Sequence, residues 1–475
     1  MDPLDIVMKG IIGITRNYGK KVQKNGPAPE IKKAEPVQIS GEKFRIGFSE
    51  DKIMPDLTKG KTYWIAGHGS GHKMEGVLSD VFISSVWIDC GNDEGIIWIT
   101  ADIIGLTRIE VNKIREMIFA SGVIKGCVGV NISVTHSHSG IDTLGYWGKP
   151  FLSIPADGKD PEYMDMLMKK AVSVSEQAYL NRKPGVLYDG RIEVPGGLFT
   201  KRGFSDKHEI LSRLRFSPDD GSPEIWLMNF GAHPNSLGGG NRMLSGEYPY
   251  FMREKIRKDT GASVHFGIGA IGAMDGAELD EDPVECVKKQ GLMYADAAEK
   301  ISGEHLLEPC IRFITQPFYY PVDNYVLTLL ALKHTMSFKA YPCKESLTGI
   351  AMESEMTYMT IGDRKFVFLP GESFVSTVYG SYIPKELSTT GEGPEINPEP
   401  LCEICGDPGI IAYGNTNDMT GYVVPPNDFI LNKTQPFLNG VKDKNGLNHY
   451  HETNSMGINS QKAIADNFRD MVSRF

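Results

Sequence analysis

The chain has 475 residues, 41% of them apolar and 23% charged, the composition of a folded globular protein rather than a disordered or fibrous one. With 50 basic and 60 acidic residues the net charge is −10, which gives no electrostatic reason to approach nucleic acid or an anionic membrane. The 7 cysteines are scattered and odd in number, and Cys402 and Cys405 form a lone CxxC without further ligands at zinc-finger spacing. Reduced, free thiols are expected.

At the N-terminus Asp2 and Asp5 precede the apolar stretch and Lys9 interrupts it, so no secretory signal is expected and the expected compartment is cytoplasmic. Residues 1–40 read as a short helical extension and a Lys/Pro-rich linker, KNGPAPEIKKAEPVQ. Residues 41–475 read as a single catalytic domain. Strands are expected at Asp80 to Cys90 and Gly95 to Asp102, then a helix at Arg108 to Ala120 and a strand at Asn131 to Thr135. The run from Gly95 to Leu106 contains Asp102 and is too short to cross a bilayer, so no membrane span is expected. Further strands are expected at Glu224 to Phe230, Ser263 to Gly267, Ile311 to Tyr320, Glu355 to Ile361 and Lys365 to Leu369. Helices are expected at Glu162 to Leu180, Phe251 to Lys258, Val284 to Ile301, Tyr325 to Phe338 and Gln461 to Ser473. This interleaving predicts an α/β fold with a mixed β-sheet core flanked by helices.

Three short segments carry chemistry. In VTHSHSG, after a strand, His136 and His138 stand two residues apart, and in extended chain both would face one cavity. Two imidazoles there suit a metal ligand beside a proton-transfer group, and a surface pair is the alternative. In NFGAHPNSLGGG, His233 precedes Pro234, which ends the strand, and the glycines let backbone approach a ligand; a solvated turn is the alternative. In LPGES, strand and turn deliver Glu372, or an ordinary turn glutamate. His68 and His72 could line the pocket but read as solvated loop residues in a Gly-rich turn, His265 reads as a satisfied core histidine, and Asp102 as a candidate partner orienting a zinc histidine.

In their order these segments resemble the neutral (non-lysosomal) ceramidase family from about Phe44 onward, beginning with TYWIAGHGSGHKMEGVLSDVFISSVWID and ITADIIGL. The resemblance implies a ceramidase catalytic-domain-like fold and zinc held by His136, His233, Glu372 and, through YGNTNDMTGYVVPPNDF, Tyr422. It places His138 beside the metal, maps an active-site arginine to Arg202, and leaves Tyr450 and His451 competing for a substrate-facing place next to Glu452. One departure stands out. Where the family carries its serine segment this chain reads AIGAMDG, with Asp275 at the serine position: either a carboxylate acts as base on water or contacts substrate in place of the hydroxyl, or the chemistry has moved or been lost and Asp275 is a turn residue. No C-terminal immunoglobulin-like domain is expected.

The expectation is a Zn2+-dependent hydrolase of amide or ester bonds, acting on a small-molecule or lipid-like amide, smaller and more soluble than ceramide. A homo-oligomer is compatible with the sequence. The alternatives are a zinc lyase, isomerase or cyclic-amide hydrolase using Asp275 as base, or a ligand-binding homologue without catalysis.

Overall fold

Strands apolar on both faces need a layer on each side, and the chain supplies them. The computed structural model describes residues 2–150, 155–202, 207–333 and 338–475. A nine-stranded sheet runs in the order Ser263–Ile268, Ile225–Phe230, Ile210–Pro218, Lys183–Glu193, Phe44–Lys52, Phe82–Asp89, Gly95–Ala101, Cys127–Val134, with His305–Leu306 paired onto Lys183–Glu193. The outermost pair at each end is parallel and the pairs between are antiparallel. A six-stranded sheet runs Val37–Ser40, Cys310–Val322, Ile350–Ile361, Arg364–Phe368, Ile411–Tyr413, with Ala340–Pro342 at the side.

The two sheets pack face to face through Ile46, Val86, Trp98 and Phe216 of the larger and Phe313, Met359, Phe366 and Tyr413 of the smaller. Trp98 lies edge-on to Tyr413 and Phe368, with centroids 4.4 and 4.9 Å away, a favoured aromatic geometry. Six helices complete most of the outer layers: α1 (Pro3–Gln23), α2 (Arg108–Ala120), α3 (Pro161–Leu180), α4 (Glu247–Thr260), α5 (Pro283–Glu299) and α6 (Tyr325–Leu332). Starts are set by local chemistry: Asp160 caps α3 on Tyr163 N and Asp282 caps α5 on Val284 N and Glu285 N, each followed by Pro. Helices α2 and α3 bury Ile114, Ile118 and Leu167 on the larger sheet. On the far side of the smaller sheet α1, α6 and the C-terminal helix Ser460–Arg474 bury Met8, Ile11, Leu330 and Phe468.

Most expected elements are present within two or three residues at their ends, and Arg108–Ala120 agrees at both. Helix α6 stops at Leu332; residues 334–337 of the expected longer helix lie outside the described ones. Strands Lys183–Glu193 and Ile210–Pro218 were not expected from sequence, because glycine and arginine break their apolar alternation. The arginines are satisfied sideways: Arg213 lies 4.3 Å over the Trp226 ring, and Arg213 and Arg215 both pair with Glu304. Residues 37–40, at the end of the stretch read as linker, form an antiparallel strand against Cys310–Val322.

The larger sheet curls strongly. His265, at one end of the strand order, reaches Ser84 Oγ at 3.0 Å and Thr100 Oγ1 at 3.2 Å near the other. It is a satisfied core histidine, as expected.

Candidate metal centre

The strand Cys127–Val134 ends in Thr135 and His136, and His136 sits in the left-handed region at φ 58°. A residue with a Cβ in this region carries backbone strain that glycine would not. The expectation of an extended HxH is therefore corrected: a kink, rather than strand alternation, turns His136 and His138 to one point. Their Nε2 atoms are 3.2 Å apart. His136 Nδ1 lies 2.5 Å from the Ile104 carbonyl; since a carbonyl only accepts, Nδ1 donates to it, and Nε2 is the nitrogen turned toward the other imidazoles. Gly67 (φ 103°) makes room for His138, because a Cβ there would stand 2.4 Å from the ring.

His233 follows the strand Ile225–Phe230, and its N–H donates to Met274 O at 3.2 Å. Its Nε2 is 2.7 Å from His138 Nε2. Glu372 Oε2 completes the approach, 3.3 Å from His136 Nε2 and 3.8 Å from His233 Nε2, with no hydrogen-bond partner of its own. Tyr422 pairs with Glu372 across a short parallel ladder, which sets the phenol beside the carboxylate. All five residues are at least nine-tenths buried.

Burial, then neighbouring imidazoles, push His138 and His233 well below the ordinary histidine range, so both are neutral at pH 7. Burial and then the Glu372 charge hold the Tyr422 phenol well above its ordinary value. Three imidazole nitrogens and a carboxylate oxygen thus converge with few protons between them. A single N–H can bridge one pair of nitrogens, whereas a cation satisfies them together. His136, His138 and His233 form a group able to hold a metal ion, and the N/O donor set suits zinc or another divalent ion.

The other expected residues fall around this point. His451 is 1% exposed, neither ring nitrogen has a hydrogen-bond partner among the described residues, and it packs edge-on to Tyr422 at 4.7 Å and Phe374 at 5.4 Å. Tyr450 stacks on it at 4.0 Å and is only partly buried. Arg202 is fully buried behind them, bound to both Glu452 oxygens at 3.0 and 3.1 Å, to His449, and 3.4 Å from Asp428. Asp275 is tied by Lys201 Nζ at 2.7 Å and Asn235 Nδ2 at 2.8 Å, while its backbone bridges that of His233. Asp102 orients none of the converging histidines. It binds both ends of the Arg253 guanidinium and accepts from Thr135 Oγ1 at 3.1 Å, and the Ile104 carbonyl takes the orienting place.

A cavity of about 230 Å³ opens from His136, His138, Glu372 and Tyr422 and is otherwise largely apolar, with Leu144, Trp147, Val326, Leu327, Phe437 and Met456 in its wall. His68 also lines it, half-buried with its ring 4.8 Å from His138. Of the two readings of His68, pocket-lining and solvated loop, the structure takes the first, although the glycines around it had favoured the second. The wall residues Tyr146 and Trp147 were missed as well. Their loop is gathered by Asp142, which accepts from the backbone N–H groups of Leu144, Gly145, Tyr146, Trp147 and Gly158.

This arrangement of sheets belongs to the class seen in ceramidase catalytic domains. The crystal structure of neutral ceramidase from Pseudomonas aeruginosa matches at TM-score 0.65 and 14% identity, over 91% of this chain and 74% of that one. A ceramidase complexed with C2 matches at TM-score 0.66 and 13% identity, over 91% and 75%. No family model matches the sequence, nor does any curated protein. Likeness at such identity establishes the fold, and activity has to be argued from the site. No helix among the described residues is long and apolar enough to cross a membrane.

Proposed function

We propose that this chain is a zinc-dependent hydrolase of the ceramidase kind, cleaving an amide or ester bond in a small-molecule or lipid-like substrate. The observation that carries the reading is the buried convergence of His136, His138 and His233 Nε2 with Glu372 Oε2 at 2.7 to 3.8 Å. In the proposal His136, His233 and Glu372 hold the ion with Tyr422 beside them. A bound zinc ion would act as a Lewis acid on the carbonyl and lower the pKa of water in the site. His138, neutral and on the cavity side, accepts the proton and returns it to the leaving group. His451, with both nitrogens free, and Tyr450 hold the carbonyl or leaving group. Arg202 acts one layer back, fixing the segment that carries them through Glu452 and His449. Asp275, occupied by Lys201 and Asn235, supports the His233 loop, and the base role passes to His138. The apolar wall favours a substrate with an apolar arm.

Elemental analysis and a panel of N-acyl amides and esters test this. About one zinc per chain, lost in His136→Ala and Glu372→Ala together with turnover, is the expected outcome. A folded wild type that takes up no zinc, or turnover unchanged in both variants, refutes it.

A further inference from the structure

The net charge of −10 hides a local reversal. Helix α1 turns Met8, Ile11, Thr15, Gly19 and Val22 inward. Its outward surface carries Lys9, Arg16, Lys20, Lys21 and, at the C-cap, Lys24, all exposed, with Ile6 and Ile14 59% and 55% exposed among them. Gly10 and Gly13 lie between the isoleucines and leave that surface flat. Among the described residues none of these four lysines forms an ion pair. The helix's two carboxylates, Asp2 and Asp5, turn away to Gln435 Nε2, at 3.1 and 2.8 Å.

The helix cannot roll to hide its isoleucines. Gly19 lies so close to the Thr348 carbonyl that a Cβ would stand 1.8 Å from it. Gln23 Nε2 donates to Gly349 O at 3.1 Å, and Arg16 Nη2 to Tyr325 Oη at 3.0 Å. Those contacts also place α1 on the outside of the cavity wall: Tyr325 begins α6, whose Val326 and Leu327 line the cavity, and Gln435 precedes the lining residues Phe437 and Leu438.

We infer that the outer face of α1 docks this protein on an anionic lipid surface, its lysines against headgroup phosphates and carboxylates and Ile6 and Ile14 in the interfacial layer. A cationic face alone fits any polyanion. The two exposed isoleucines on a fixed, flat face favour lipid, because only an interface takes up apolar side chains along with the charges. The surface so bound would lie next to the wall of the metal-site cavity. The inference does not depend on the hydrolase reading, since binding is read without turnover.

The test is co-sedimentation of the full chain with vesicles of phosphatidylcholine alone or with ~30% phosphatidylserine, at ~50 mM and ~500 mM salt. Near an anionic surface each lysine contributes roughly fivefold to partitioning. Binding to the anionic vesicles should therefore exceed that to neutral ones by at least ~50-fold at low salt and collapse at high salt. It should be lost in Lys9→Gln/Lys20→Gln/Lys21→Gln/Lys24→Gln, fall about tenfold or more in Ile6→Ser/Ile14→Ser, and survive in a control with Lys113, Lys125, Lys258 and Lys300 changed to Gln. Circular dichroism verifies folding of each variant. No preference for anionic vesicles, or wild-type binding by the α1 lysine variant, overturns the inference. Binding that is indifferent to the isoleucines and equal on RNA overturns the lipid assignment in favour of a general polyanion.

Discussion

Asp142 gives the sharpest mechanical test of how the cavity is built. Its Oδ1 accepts from Leu144 N at 3.0 Å and Gly145 N at 2.8 Å; its Oδ2 accepts from Tyr146, Trp147 and Gly158 N at 3.0, 2.9 and 3.1 Å. Asp142→Asn keeps the shape but replaces one acceptor with an NH2 group that only donates. The amide will orient to abandon the smaller set, leaving Leu144 and Gly145 without an acceptor. Each orphaned buried N–H costs about 1–3 kcal/mol, so the variant should lose about 2–6 kcal/mol. Urea unfolding measures the loss, and amide hydrogen exchange at 144–147 locates it. Because Tyr146 and Trp147 line the cavity, affinity for an apolar ligand should fall in parallel. Stability within about 0.5 kcal/mol of wild type, with unchanged protection over 144–147, would refute the view that one carboxylate organises this wall.

Gly67→Ala should push the His138 ring aside, because the new Cβ overlaps it and φ is 103°; turnover in the proposed hydrolysis should drop at least about tenfold, since His138 is its proton acceptor. The fully buried Glu247 is raised from 4.5 to about 7 by burial, chiefly. Its folded form holds a proton that the unfolded form has lost between those values, so this group lowers stability as pH rises from about 4.5 to 7, with no further change above. Glu247→Gln should remove that term, so its advantage over wild type in denaturation curves should grow across the window to the order of 3 kcal/mol; a pH-independent difference would contradict this. Glu452→Gln weakens the charge-assisted bonds to Arg202 while Asp428 stays 3.4 Å away, and should cost about 1–3 kcal/mol by denaturant titration.

Secondary structure was largely legible in the sequence because it rests on local pattern, whereas the converging residues gave only modest signals singly and were picked out by the order of the segments and their resemblance to ceramidases. Arg108–Ala120 shows helical spacing and a clear start, and His136, His233 and Glu372 each follow a strongly apolar strand. What was not legible depends on distant partners. Arg213 looks like a strand breaker until Trp226 and Glu304 are seen beside it. His68 and Trp147 sit in glycine-rich turns whose destination is set by contacts with His138 and Asp142. Asp102 beside the histidine motif suggested an orienting role, yet Arg253, some 150 residues later, claims it. The basic outer face of α1 was averaged away in the total charge.

The left-handed turn at His136 has a consequence for how this protein can drift. A non-glycine residue at φ 58° costs of the order of 1–2 kcal/mol, which the folded chain carries whether or not an ion is bound. Glycine or asparagine there would relax the backbone and raise the stability of the metal-free protein. A lineage relieved of its activity would therefore be expected to lose this histidine early, ahead of His233 or Glu372, whose φ angles are negative. On the proposed hydrolase reading, the identity of residue 136 across relatives would then separate chains that keep the site from chains that have lost it.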